Sequence, residues 1–414
     1  RMDREFRRLA SMPGPLATIL MPLVAPRLTF RGLRPLSRII SRYISDPMLR
    51  TILEVRAGDH GMNPELVPCA QHIAVEAHYW EGAWYPHGGG AAIPRAFIKR
   101  LRHQGGEIRL RTRVERILLD EQSGAPRAVG VVLQDGTEIR GNCVISNADA
   151  HVTYQQLIDS QKLSAKMQKR LATTEYSLTA LSLFMATDLD LTALGLDSGN
   201  YWLCRKPDVA SGYRYAELPD LANAGPFEGL FVTVTTLKDP SKFQDGVHTM
   251  EAFTFVSYDA FTQWQGTITD ERPDDYQAFK QTLTDRFMDS LEELIPGLRD
   301  RLLLCELGTP LSNEFYLNAH RGNLYGTAKI RSQVGPFGLP VKTEIAGLYH
   351  CGASTVAHGV MGALMSGLAV AKSIIGCRTR DLLVHTDEGT IRLHSANTAV
   401  ATADAVEDEV LVGS

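Results

Sequence analysis

The chain has 414 residues, 44% of them hydrophobic and 22% charged, with a formal net charge of −4. That length predicts about two to three domains with sizeable cores, and the near-neutral balance excludes a chain that as a whole grips nucleic acid. Six widely spaced cysteines form no C-x-x-C and twelve histidines form no H-E-x-x-H. Neither a metal site nor a disulfide framework is therefore expected, and a reducing, cytoplasmic setting is.

Residues 1–84 read as mostly helical. The first 50 hold ten arginines against three acidic residues. The simplest reading is a solvated basic face. The sharper one is peripheral contact with an anionic membrane surface. Pro13, Pro15, Pro22 and Pro26 interrupt the apolar stretch 12–30 and argue against a spanning helix there. "SRIISRYISDPMLRTILEV" places its apolar residues at helical spacing, and Asp46-Pro47 fits a helix cap followed by a first helical residue. His78, Tyr79, Trp80, Trp84 and Tyr85 form an aromatic group whose default reading is core packing. The alternative is the wall of an apolar substrate channel.

"EGAWYPHGGGAAIPRAFIKRLRHQGGEIRLRT" predicts an aromatic strand end, a glycine turn at Gly88 to Gly90 and a helix to about Gln104. Gly105-Gly106 stops that helix, and a strand is expected over 107–112. Three short β-runs follow in "VERILLDEQSGAPRAVGVVLQDGTEIRG", with a hairpin signal at Asp135-Gly136. "NCVISNAD" ends this region as a short apolar strand entering a polar turn. Residues 151–325 mix long β-runs, "YSLTALSLFMATDL" and "HTMEAFTFVSYDAF", with the amphipathic helix "DDYQAFKQTLTDRFMDSLEELI", which Pro296-Gly297 ends.

From Gly326 the chain is loop-like until "GLYHCGASTVAHGVMGALMSG". This stretch predicts a buried strand, a hard turn at Gly352 and a helix starting near Val360. The free N–H groups and the dipole of such a helix end favour an anion: a phosphate, a carboxylate or the N1–C2=O edge of a reduced flavin. A buried helix that uses its small residues only for packing is the equal alternative. Gly362 and Ser366, and Ala363 and Gly367, are spaced for close packing. His358 reads as a loop cap, with a proton donor or polar clamp as the alternative. His320-Arg321 reads equally as solvated loop or as contact. "LLVHTDEGTIRLH" suggests a hairpin, and the last twenty residues read as disordered.

The strand, meander and return strand across 105–150 are what a FAD domain of the glutathione-reductase type inserts into its parallel sheet. With "SDPMLRTIL", "GDHGMNPE", "TPLSNEFYLNAHRGNLYG" and "IAGLYHCGASTVAHGVMGALMSGLAVA", residues 35–376 resemble the phytoene desaturase, carotenoid isomerase and retinol saturase family of flavoproteins. The resemblance implies a mixed α/β fold: an incomplete glutathione-reductase-type FAD domain with an inserted sheet-and-helix substrate domain. It divides the chain into a helical cap (1–84), a FAD-domain segment with the meander (85–155), a substrate domain (156–324), a C-terminal FAD-domain segment (325–376) and a hairpin and tail (377–414).

The cofactor implied is FAD. Val114 matches the position at the adenine, and Asn147 and Ala148 match a turn near the adenosine. Gly352 and Ala353 match the turn along the pyrophosphate and ribityl chain. Val360, Met361 and Gly362 match the helix start below the flavin pyrimidine, and Gly88 and Gly89 match a turn lining the flavin-facing cavity. Ala353 stands where many flavoproteins carry an acid, as carotenoid desaturases often do. One departure is large: no G-x-G-x-x-G occurs in the sequence. The expectation is that the N-terminal βαβ unit belongs before Arg1 and that the chain is a fragment. The activity implied is flavin hydride chemistry on a carotenoid-like, retinoid-like or other long apolar molecule. The alternative is a non-catalytic lipid-binding module, as in the Rab GDP-dissociation inhibitors of the same fold. A flavin amine oxidase ranks behind both.

Overall fold

The computed structural model describes Glu5, Arg8 and residues 20–80, 82–122, 124–382 and 393–394. The expected hairpin after Leu382 and the expected disordered tail lie almost entirely outside the described residues.

The helical segment contains α1 (Leu36–Ile40), α2 (Pro47–Glu54) and α3 (Cys69–Tyr79). Asp46 caps α2 as its sequence predicts, accepting from the Leu49 N–H at 2.7 Å with Pro47 in the first turn. Leu36, Ala57, Met62, Val67 and Cys69 form a small core here, joined by Ala328 from far along the chain. α4 (Ala92–His103) follows the glycine turn and ends at Gln104, as expected.

The meander is β1 (Val114–Asp120), β2 (Arg127–Leu133) and β3 (Glu138–Arg140), antiparallel throughout. Gly136 takes φ +84 in the turn between β2 and β3, which is why a glycine follows Asp135. β4 (Val144–Ser146) then runs parallel to β10 (Leu348–His350), pairing Val144 with Leu348 and Ser146 with His350. A second core lies under these strands, built from Ile117, Ala128, Tyr154, Leu163, Ile345 and Leu348, among others.

The largest core belongs to a five-stranded antiparallel sheet of order β6-β7-β8-β5-β9. Its strands are β5 (Thr179–Thr187), β6 (Asn200–Cys204), β7 (Gly229–Val234), β8 (His248–Val256) and β9 (Leu302–Gly308). β8 buries every second residue, the period of a strand with one covered face. The longer helices of this region are α5 (Ala165–Ala172), α6 (Val209–Ala216), α7 (Asp274–Glu292) and α8 (Pro310–Leu317), and a single helical turn, Thr235–Lys238, follows β7. α7 opens with Asp274 and Asp275 at its positive end. It sets Leu283, Phe287 and Leu291 at four-residue spacing into this core. After β10 come α9 (Gly359–Ile375) and a short helical turn, Thr379–Leu382.

Three expectations fail. Residues 107–112 form no strand, and Leu110 is 80% exposed. A strand needs a neighbour for its backbone groups, and this segment has none among the described residues. The aromatic run 82–86 forms no strand either. The four members of the aromatic group whose side chains are described are not core: Trp80 and Trp84 are 72% and 66% exposed, and Tyr79 and Tyr85 are also exposed, while the His78 side chain lies outside the described residues. The alternation of aromatic and polar residues there carries no information about which neighbours the segment meets.

Candidate functional site

β4 and β10 end side by side, and each enters a turn. The Cys351 N–H donates to the Ser146 carbonyl at 2.9 Å, so the two turns start in register. Gly352 takes φ +96, and a Cβ there would sit 2.4 Å from Asn147 Oδ1. Only glycine lets these turns approach so closely. The Gly352 N–H donates to Ser366 Oγ at 2.7 Å, and Ser366 donates to the Ala363 carbonyl at 2.6 Å. A fully buried serine inside α9 thus fastens the turn to the helix. The other side is fastened by His350, fully buried, whose Nε2 lies 3.1 Å from the Ala148 carbonyl. Because a carbonyl only accepts, Nε2 carries the proton.

The structure thus joins Asn147, Ala148, Gly352 and Ala353 in one crevice. α9 starts beside it. Gly359 takes φ +74 before the helix, and His358, its N-cap residue, supplies no side-chain cap. The first N–H groups of α9 are left without a capping side chain. Gly362 is buried with no room for a Cβ, which would meet the Ala357 backbone at 2.4 Å. Val360 and Met361 are exposed, at 61% and 55%. Only one of the two small pairs of the helix packs: Gly362 and Ser366 are buried, while Ala363 and Gly367 face outward.

Other expected site residues sit elsewhere. Gly88 and Gly89 take φ +86 and +76, and the Gly88 N–H donates to Asp239 Oδ2 at 2.7 Å. That fastens their turn to the end of the β7-side helix Thr235–Lys238, not to the Gly352 turn. Val114 opens β1 opposite Leu133, within the meander. His320 is half-buried and Arg321 is exposed. His320 stacks on His151 at 3.9 Å between ring centroids, and Arg321 pairs with Asp259.

His358 belongs to a buried group that sequence reasoning missed. Its Nε2 lies 2.7 Å from the Asp59 carbonyl, so Nε2 is protonated and Nδ1 is a bare acceptor without a partner. Burial, then the Lys329 charge, pulls its pKa down to about 4. His60 lies edge-on to it, 5.3 Å between centroids, and is fully buried with neither ring nitrogen bonded. His72 flanks His60 at 5.8 Å and Tyr325 flanks His358 at 5.0 Å. Lys329, 3% exposed, donates to the Ala353 carbonyl at 2.6 Å. No spacing rule links residues 60, 329 and 358. The only signal was that His60 lies in "GDHGMNPE", one of the segments carrying the family resemblance.

An aromatic pocket adjoins this group, between the helical segment and the sheet. Val55, Trp202, Tyr213, Phe231, Phe253 and Phe255 line it. Gly58 packs so tightly on Trp202 that a Cβ would come within 2.1 Å of the indole. Among the described residues no group of histidines, cysteines and carboxylates could hold a metal ion, and no helix is long and apolar enough to cross a membrane.

The family model for flavin containing amine oxidoreductases matches residues 18–199. All-trans-retinol 13,14-reductase of Danio rerio is 29% identical over 385 residues, covering 89% of this chain and 62% of that protein. The chloroplastic prolycopene isomerase of Arabidopsis thaliana is 28% identical over 343 residues, covering 81% of this chain and 53% of that protein. The chain therefore spans little more than half the length of these relatives. In fold it is similar to an oxidoreductase from Methanosarcina mazei, with TM-score 0.58, 18% identity, and coverage of 88% of this chain and 74% of that one. It is also similar to a putrescine oxidase variant, with TM-score 0.52, 13% identity, and coverage of 91% and 74%. None of these matches supports the lipid-carrier alternative. The chain is thus similar in sequence to a retinol reductase and a carotenoid isomerase, and over residues 18–199 to the flavin containing amine oxidoreductases.

Proposed function

We propose that this chain forms the flavin-side and substrate-side parts of an oxidoreductase acting on a long apolar polyene, retinoid-like or carotenoid-like. The observation that carries the reading is the Gly352 turn, pressed against Asn147 beside the uncapped start of α9. These residues fit FAD along the chain that joins its adenosine and flavin ends, with the start of α9 at the flavin: a close backbone approach, two adjacent strand ends and a helix N-terminus. No glycine-rich diphosphate loop occurs in the sequence, so the fit is to these parts of FAD alone.

Bound FAD would exchange a hydride with a carbon of the substrate. The chain's residues supply orientation and polarity. Gly352 and Ala353 would carry the cofactor along their turn, and Gly362 lets the first turn of α9 come close. The Trp202 and Phe253 pocket would take apolar substrate and keep water away. His358, neutral and bonded through Nε2 to Asp59, offers only the Nδ1 lone pair. It acts as a polar clamp and not as a proton donor.

A second observation favours a peripheral membrane position. α2 exposes Met48, Leu49 and Ile52 and buries Thr51, the reverse of a helix packed on a core. Exposed arginines Arg31, Arg34, Arg38 and Arg42 precede it in the chain. An apolar face with basic neighbours suits an anionic lipid surface, from which an apolar substrate could be drawn.

The test is addition of FAD to the purified chain, followed by absorbance and by turnover of all-trans-retinol and prolycopene with the flavin reduced. Retained yellow flavin and conversion of either polyene are expected. A chain that stays colourless overturns the reading.

A further inference from the structure

Lys329 is a buried cation without an anion. It is 3% exposed, and its one hydrogen bond is to a carbonyl. Burial is the one influence on its acidity, lowering its pKa to about 8, with no carboxylate opposing. Asp59, whose carbonyl holds His358, is itself raised to about 6 by burial, and its charge interacts with Arg56 and Glu76. The groups that face Lys329 are neutral. His358 and His60 are held uncharged by burial and by Lys329 itself, and burial raises the Tyr325 hydroxyl above its ordinary range. His72, beyond His60, is also kept neutral by burial.

Burying an ammonium costs several kcal/mol unless an opposite charge compensates it. Nothing among the described residues does so. The bond to Ala353 places the ammonium at the cofactor turn. Its influence on His358 places it near the first turn of α9, where the flavin pyrimidine is expected. Unbonded nitrogens of His60 and His358 lie in the same group. The missing negative charge is therefore one that a ligand brings to this end of the crevice.

We propose that Lys329 is the counter-charge of the reduced flavin. Two electrons and one proton, supplied in the assay by dithionite and water, convert neutral oxidised flavin to an anion. Lys329 keeps its own proton and balances that anion while the Ala353 carbonyl holds the ammonium in place. The proposal rests on the FAD reading above.

The experiment is a measurement of the midpoint potential of FAD on the full chain against pH, by dithionite titration with a reference dye. Below about pH 8 Lys329 is charged in both redox states, and one proton enters per two electrons. The expected slope there is about 30 mV per pH unit, the tenfold step of a two-electron couple. Above about pH 8 Lys329 is neutral beside oxidised flavin and regains its proton on reduction, so the slope doubles. Lys329→Met should lower the preference for reduced over oxidised FAD at least tenfold at pH 7, about 30 mV, and abolish the change of slope. Lys329→Arg should restore the potential at pH 7.

A wild-type slope that stays constant through pH 8 to 10 overturns this proposal alone, even if Lys329→Met does not fold. So does a Lys329→Met protein that weakens both redox states equally, the result for a cation sitting on the diphosphate. A wild-type chain that takes up no FAD in either state overturns both this proposal and the flavin reading.

Discussion

Gly352 holds its turn through two constraints that act together. Its φ of +96 penalises any side chain, and a Cβ would also run into Asn147. Gly352→Ala should cost about 1–3 kcal/mol, seen as a lower midpoint in urea, and should weaken FAD uptake. A variant with wild-type stability and flavin affinity would mean that the turn is not held by contact with Asn147. Ser366→Ala tests the same turn from the helix side. It leaves the Gly352 N–H buried and unpaired, a loss of about 1–3 kcal/mol. Both residues were visible in the sequence, but for different reasons. A strand followed by glycine announces a turn. Ser366 announced only small size, and its bond to the turn depends on how α9 lies.

At the scale of elements, α2 shows how local and tertiary signals separate. Its cap and length follow from Asp46-Pro47 and the spacing of its apolar residues. Which way its apolar face turns does not, because that depends on what lies outside the helix. With Met48, Leu49 and Ile52 outward, the chain should sediment with vesicles containing anionic lipid and be released by salt. Replacing Met48 and Ile52 together with serine should weaken this binding about tenfold or more, since each buried methylene contributes about 0.8 kcal/mol. Unchanged binding by that double variant would remove α2 from the contact. The meander was legible for the opposite reason, since each of its strands finds a partner within the next twenty residues or so.

For the molecule as a whole, the buried histidines set an acid limit. His60, His72 and His358 have an ordinary pKa of 6.5. Folding lowers His72 and His358 to about 4 and His60 to about 2, mainly through burial. Between these values the unfolded chain binds more protons, so stability falls as pH drops from about 6.5 toward 4. Each histidine contributes up to about 1.4 kcal/mol per pH unit. Asp59 works in the opposite sense between 3.8 and about 6, because its folded carboxyl keeps a proton longer. Glu54 and Glu251, also raised by burial, act with Asp59, while His248, His320 and His350, also lowered by burial, add to the three imidazoles, which remain the more numerous side. Urea unfolding should therefore give a lower midpoint at pH 5 than at pH 7, and His60→Leu should narrow that difference. A midpoint independent of pH over this range would show that the three rings are hydrated in the folded chain.

The sequence by itself determined the helices and strands that close their hydrogen bonds locally, the Gly352 turn, and the family that the chain resembles. These rest on periodicity, capping and glycine placement, which act over a few residues. Only the tertiary structure decided that residues 107–112 find no strand partner among the described residues, that Tyr79, Trp80, Trp84 and Tyr85 face outward, and that Gly88 docks on Asp239. It alone also brought Lys329, His60 and His358 to the crevice beside Ala353. Burial, desolvation and the approach of charges arise between segments hundreds of residues apart, and no local pattern records them.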